Sequence, residues 1–175
     1  MHLIFGNLFL QSNFDAVCIT TNGFVKTNGE AVMGRGSAKE ATMYFPELPK
    51  ILGTAIKNNG NTVNYLLSAN KTDLWSFPVK TTARKFKDDS EIVDHMKAIY
   101  EAEDIVPGWA FKADLKIIEE SAIALKQVAD VQGYKKILLP RPGCGAGELT
   151  WPQVAPVLSD ILDQRFYIIT FGETK

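Results

Sequence analysis

An α/β fold, a sheet covered by helices on both faces, is predicted by three observations. Short apolar runs alternate with helical patterns along the chain. Most of those runs are apolar at successive positions, as strands in the middle of a sheet are. Two glycine-rich turns each lie between such a run and a helical pattern. The chain has 175 residues, 46% of them hydrophobic, enough for one ordinary core and short for two domains. Residues 1–175 therefore read as a single domain.

Strands are expected at 3–5, 8–10, 16–21, 62–67, 74–79, 136–139 and 166–171. Leu115, Ile118, Ala122, Leu125 and Ala129 recur at intervals of three and four and mark a helix. Val154, Val157 or Leu158, and Ile161 mark another. Its start is fixed near Trp151, because Thr150 and Gln153 form a capping box and Leu149 and Val154 are spaced to staple across it. Shorter helices are expected at 37–44 and at 48–58, the second stopped by "NNGN". Residues 84–111, "RKFKDDSEIVDHMKAIYEAEDIVPGWAF", interrupt the alternation. They carry one amphipathic helix on Ile92, Met96, Ile99 and Tyr100 and read as an insertion placed to cover a site.

The formal net charge is −1 and the isoelectric point about 6.1, so no long-range field draws the chain to a polyanion or an anionic membrane. The segment "MHLIFGNLFLQ" has no basic region ahead of its apolar residues, and no apolar run approaches the roughly 20 residues that cross a bilayer. The expectation is a soluble, cytoplasmic monomer without a membrane partner. Two cysteines, Cys18 and Cys144, are too few for a disulfide scaffold and read as free thiols. His2 and His95 are the only histidines and lie outside the glycine turns; no His, Cys or carboxylate cluster has metal-ligand spacing. Neither a metal nor a cofactor is expected.

The two turns are "MGRGSAKEA" at 33–41 and "PGCGAGELTW" at 142–151. Glycine lets the backbone approach a ligand and aim successive amide N–H groups at one anion, while the following helix adds unpaired N–H groups and the positive end of its dipole. Either turn alone is as compatible with a plain turn as with a phosphate loop. Together they favour a ligand with two phosphates. No Gly-Lys-Ser/Thr follows, so there is no Walker loop; "GRGSA" lacks the third glycine of a dinucleotide fingerprint, and no acidic residue closes the next strand.

These blocks resemble the macro domains, a family that binds ADP-ribose and its derivatives. "GNLF", "DAVCITTNG", "VMGRGSAKEA", "FPVK" and above all "LPRPGCGAGELTWPQV" carry the resemblance, which runs over nearly the whole chain apart from 84–111. The order of "VMGRG" and "FPVK" is similar to the branch of terminal ADP-ribose glycohydrolases and DNA ADP-ribose glycohydrolase antitoxins. The resemblance implies a three-layer α/β/α fold with a mixed central sheet. It also implies ADP-ribose or an ADP-ribosylated macromolecule as partner, with nucleic acid only as a modified substrate. The implied function is hydrolysis of a bond at the distal ribose; a non-catalytic ADP-ribose binder and an ADP-ribose 1″-phosphate phosphatase are the alternatives.

Position by position, the resemblance puts Asn7 beside the adenine amino group and Phe171 where an aromatic stacks on adenine, though a strand-end core aromatic is an equal reading. Gly34, Arg35, Gly36 and Ser37 would wrap one phosphate and Gly143, Cys144, Gly145, Ala146 and Gly147 the other. Asn22 matches the asparagine that contacts the distal ribose, although Asn-Gly after a strand is also a simple turn. Lys80 matches a lysine nucleophile that forms a lysyl adduct at the anomeric carbon, which needs an amine that loses its proton. Terminal ADP-ribose glycohydrolases carry an aspartate where this chain has Gly147, and Glu148 is the neighbouring substitute as acid or base. Cys144 would need a nearby base to act as a nucleophile and reads better as a small lining residue. Arg141 is placed for either a phosphate or a surface carboxylate. The insertion, following Lys80 so closely, reads as a lid over the distal ribose.

Overall fold

The computed structural model describes residues 1–172. The strand Ala16–Thr21 (β2) shows how the sequence builds its layers: Ala16 and Cys18 face one apolar cluster and Val17 and Ile19 the other, the period of two that a strand imposes. Both faces are therefore covered. β2 lies near the centre of a six-stranded sheet with His2–Phe5 (β1), Tyr65–Ala69 (β3), Thr72–Pro78 (β4), Ile137–Pro140 (β7) and Phe166–Thr170 (β8), in the order β1-β8-β7-β2-β4-β3. All neighbours are parallel except β3 and β4, which form an antiparallel pair at one edge. The sheet is thus mixed, and it agrees with the α/β/α expectation.

Leu115–Gln132 (α3) and Trp151–Ile161 (α4) cover one face. Ile118, Ala122, Leu125 and Ala129 of α3 are fully buried, at the spacing read from the sequence. Burying each of the larger ones contributes about 1.5–3 kcal/mol. Asp114 caps α3 by accepting from the Lys116 N–H at 2.8 Å, and Gly133 ends it with a left-handed φ of 70°. The start of α4 is fixed by Gln153, whose Oε1 accepts from the Thr150 N–H at 2.8 Å. Ser37–Tyr44 (α1) and Leu48–Asn59 (α2) cover the other face through Ala38, Ala41, Leu48 and Leu52.

Two expectations are corrected. Residues 8–10 are a 3₁₀ turn, not a strand: Asn7 caps it by accepting from the Phe9 N–H at 2.9 Å, and of the three residues only Leu8 is buried. Residues 84–111 contain no α-helix. They form a two-stranded antiparallel piece, Arg84–Lys85 (β5) with Ile105–Val106 (β6), and three 3₁₀ turns. Acidic side chains of this segment take backbone N–H groups that a helix would need: Asp88 accepts from Ser90 at 2.7 Å and Asp104 from Glu101 at 2.9 Å. Its apolar residues instead build a separate cluster of Phe86, Ile92, Val106, Ala110 and Phe111. Arg84 closes that cluster, with its guanidinium 4.0 Å from the centre of the Phe111 ring and 2.8 Å from Glu91.

Candidate functional site

The strands β8, β7, β2 and β4 are parallel neighbours, so their carboxyl ends emerge together, which is where open α/β sheets form clefts. A cleft of about 820 Å³ lies there. β2 delivers Asn22 and, through a long loop, the first glycine turn; β7 delivers the second; β4 delivers Lys80; β8 delivers Phe171. Gly34, Arg35, Gly36, Ser37, Gly143, Cys144, Gly145, Ala146 and Gly147 all line this one cleft.

The first turn is held by side chains of β2 and its end. Buried Asn22 accepts from the Phe24 N–H and donates from Nδ2 to the Val32 carbonyl, both at 2.9 Å, and so clamps both ends of the loop between β2 and α1. The turn reading of Asn22 thus holds, and its side chain also lines the cleft. Ser37 accepts from the Thr20 N–H at 3.0 Å and pins the first residue of α1 to β2. Gly34 and Gly36 take φ of 50° and 68°, a region a side chain would strain. Arg35, between them, is exposed.

In the second turn the glycines divide their work. A side chain on Gly145 would meet nothing within 4 Å. A Cβ on Gly147 would lie 2.6 Å from both the Ala113 Cβ and the Gly143 carbonyl oxygen, while the Gly147 carbonyl accepts from the Ala113 N–H at 2.9 Å. This backbone therefore has no room for an aspartate at 147. Burial pushes the half-buried Cys144 thiol upward against a smaller pull from Arg141, and its sulfur donates to the Pro142 carbonyl at 3.6 Å, an arrangement unsuited to a nucleophile. Arg141 lines the cleft with its guanidinium 4.8 Å from the centre of the Trp151 ring; its Nε is buried without a hydrogen-bond partner, and no carboxylate pairs with it among the described residues. Phe171 is 86% exposed at the rim, so it is not a core aromatic.

Lys80 is the most unusual side chain here. Only 8% exposed, its Nζ donates to the carbonyls of Trp109 and Ala146, each at 3.0 Å. Desolvation brings its pKa down from 10.5 to about 8; Glu148 pulls it up and Arg35 pushes it down. A neutral amine has two N–H bonds, which match these two carbonyls, and a lone pair in the remaining tetrahedral direction.

Two expected residues stand outside the cleft lining. Asn7 accepts from the Phe9 N–H on its amide oxygen and donates from Nδ2 to Glu40 at 3.1 Å. Glu148, held at a positive φ of 60°, accepts from the Asp94 N–H at 2.7 Å and pairs with Lys112 at 3.9 Å. Its carboxylate ties the second turn to the insertion. Among the lining residues that escaped the sequence reading are His95 and Trp109, both from the insertion. The signal for them was the start of the insertion four residues after Lys80. Among the described residues no His, Cys, Asp and Glu are grouped to hold a metal ion, and no helix is long and apolar enough to cross a membrane.

No family model matches the sequence, and no curated protein does. Solved structures do. DarTG of Thermosipho africanus, in complex with ADP-ribose, superposes with a TM-score of 0.67 at 19% identity over 98% of this chain, which spans only 42% of that protein. The macrodomain of Thermus aquaticus DarG gives 0.67 at 19% identity over 98% of this chain and 97% of its own. That of Mycobacterium tuberculosis DarG gives 0.63 at 19% over 94% and 93%. With the sheet order and the cleft, these likenesses show that the chain has the macrodomain fold.

Proposed function

We propose that this protein binds the ADP-ribose moiety of a modified molecule and hydrolyses the bond at its distal ribose. The observation that carries this reading is Lys80, a buried amine with a lowered pKa, lining the same cleft as both glycine turns. The complex of the Thermosipho africanus protein with ADP-ribose, on the same fold, supports the choice of ligand.

The diphosphate lies between the turn at 34–37 and the turn at 143–147, where backbone N–H groups and the starts of α1 and α4 favour negative charge. Arg35 and Arg141 add positive charge from side chains that line the cleft. Phe171 offers its exposed ring to the adenine at the rim. The distal ribose is left for the end formed by Asn22 and Lys80. The Lys80 amine attacks the anomeric carbon C1″, and the bond from C1″ to the acceptor breaks with its electron pair on the acceptor. Water then displaces the lysine and yields free ADP-ribose. Holding the nucleophile on two carbonyls removes most of the cost of orienting it.

Gly147 favours a second reading, a binder without activity, because no aspartate fits there and Glu148 is engaged elsewhere. Incubation with ADP-ribosylated protein, ADP-ribosylated DNA and ADP-ribose 1″-phosphate in parallel, with chromatography of the products, separates these readings. Free ADP-ribose is expected from at least one of the two modified macromolecules. Its release from the 1″-phosphate alone would make the chain a phosphatase, and intact substrates throughout would leave a binder.

A further inference from the structure

We propose that His95 is the proton carrier of this cleft, giving a proton to the departing acceptor and then taking one from the attacking water. The inference rests on the hydrolase reading above and supplies the partner that Lys80 lacks in it.

The hydrolysis needs such a group, since an acceptor that leaves with an electron pair must be protonated unless it is a stable anion. Among the described residues, no aspartate or glutamate lines the cleft. Arg35 and Arg141 do not give up protons. The Cys144 thiol is half-buried and turned to a backbone carbonyl. Imidazole exchanges protons near neutral pH, and His95 is the one imidazole in the lining.

Its position follows from a chain of contacts. Lys80 donates to the Ala146 carbonyl; two residues on, Glu148 accepts from the Asp94 N–H at 2.7 Å; Asp94 is the neighbour of His95. The other carbonyl that receives Lys80, Trp109, also belongs to the insertion. Both contacts bring the insertion to the Lys80 end of the cleft. The short turn Asp94–Met96 is tied down: Met96 N–H donates to the Val93 carbonyl at 2.9 Å, Val93 N–H to Ala110 at 3.0 Å, and Lys97 pairs with Asp94 at 2.6 Å. Asp94 and Lys97 on its own turn and Glu148 and Lys112 across it are the charges that this turn meets, and Lys80 and Arg35 line the same cleft.

The protons balance. In the first half the neutral Lys80 amine bonds to C1″, the C1″–acceptor bond breaks, and the acceptor atom takes its proton from the His95 imidazolium. In the second half water bonds to C1″, neutral His95 takes the water's proton, and the C1″–Nζ bond breaks with its pair returning to Lys80. Both residues end as they began.

The test compares the wild-type chain and His95→Gln on two substrates: ADP-ribosylated DNA or protein, whichever the wild type cleaves, and a 4-nitrophenyl ether at C1″, whose leaving group needs no proton. Because His95 is exposed, its replacement is expected to leave the melting temperature and the Kd for ADP-ribose unchanged. On the macromolecule, kcat/KM is expected to fall roughly 10²–10³-fold. On the nitrophenyl ether kcat/KM, which reports the first half alone, is expected to fall less than about tenfold, since that half needs no acid there. Equal losses on both substrates, no loss on either, or a change in Kd alone would overturn the assignment while leaving the hydrolase reading in place. A wild-type chain that cleaves neither substrate removes the hydrolase reading, and His95 loses its role with it.

Discussion

Replacement of Lys80 by alanine is expected to abolish release of ADP-ribose from a modified macromolecule while calorimetric binding of free ADP-ribose persists. In the proposed mechanism the amine is the attacking atom, so its loss removes the reaction path itself; of the two glycine turns only the second is hydrogen-bonded to it, through the Ala146 carbonyl. A loss of more than about 10³-fold in kcat, with Kd within a few-fold of wild type, is the expected pattern. Activity that survives unchanged would sink the lysine mechanism. In the wild type the pH dependence of kcat/KM carries the same signature. The reactive form is the neutral amine, and burial places its pKa at about 8, so on the 4-nitrophenyl ether, whose leaving group needs no proton, kcat/KM is expected to climb about tenfold per pH unit below 8 and then level. The stability linkage runs in the same direction. Between about 8 and 10.5 the unfolded chain holds the Lys80 proton and the folded chain has released it, so stability rises with pH across that window and burial of the ammonium opposes folding below it.

Gly108→Ala is expected to have the second largest effect, because the insertion meets the Lys80 segment there backbone to backbone. A Cβ at Gly108 would lie 1.9 Å from the Thr81 carbonyl oxygen and 2.9 Å from its carbon. Neither is a side chain that can swing away, so the insertion must shift. Its neighbour Trp109 gives Lys80 one of its two carbonyls. The expected result is a destabilisation of about 1–3 kcal/mol, which lowers the melting temperature by roughly 2–12 °C for a chain of this size. A greater fractional loss of kcat than of ADP-ribose affinity is expected with it, because Lys80 loses its orientation while the diphosphate turns stay in place. Unchanged stability and kcat in this variant would show that the insertion does not hold the lysine.

The same contact explains what sequence reading could and could not reach. β2, α1 and α4 were legible because their signals are local: an apolar run, a glycine followed by helix formers, and the Thr150–Gln153 cap. The insertion was not, because Ile92, Met96 and Tyr100 have helical spacing but pack against Phe86, Val106 and Phe111, which are brought to them only by the fold. The glycine turns were legible as turns between a strand and a helix, yet the reason Gly147 is glycine is its contact with Ala113, a residue 34 positions away. Asn7 and Glu148 were read from their places in a motif, and both spend their polar atoms on neighbours: Phe9 and Glu40 for the first, Asp94 and Lys112 for the second. His95 carried no motif, and its turn is brought to the cleft by contacts that only the fold makes, the tether from Glu148 among them.

The central proposal is that the cleft between the two glycine turns takes ADP-ribose. Titration of free ADP-ribose into the wild-type chain in a calorimeter tests it most directly. A single site with a Kd in the micromolar range, about −7 to −8 kcal/mol, is expected. The absence of both binding heat and any thermal shift at millimolar ADP-ribose would contradict it.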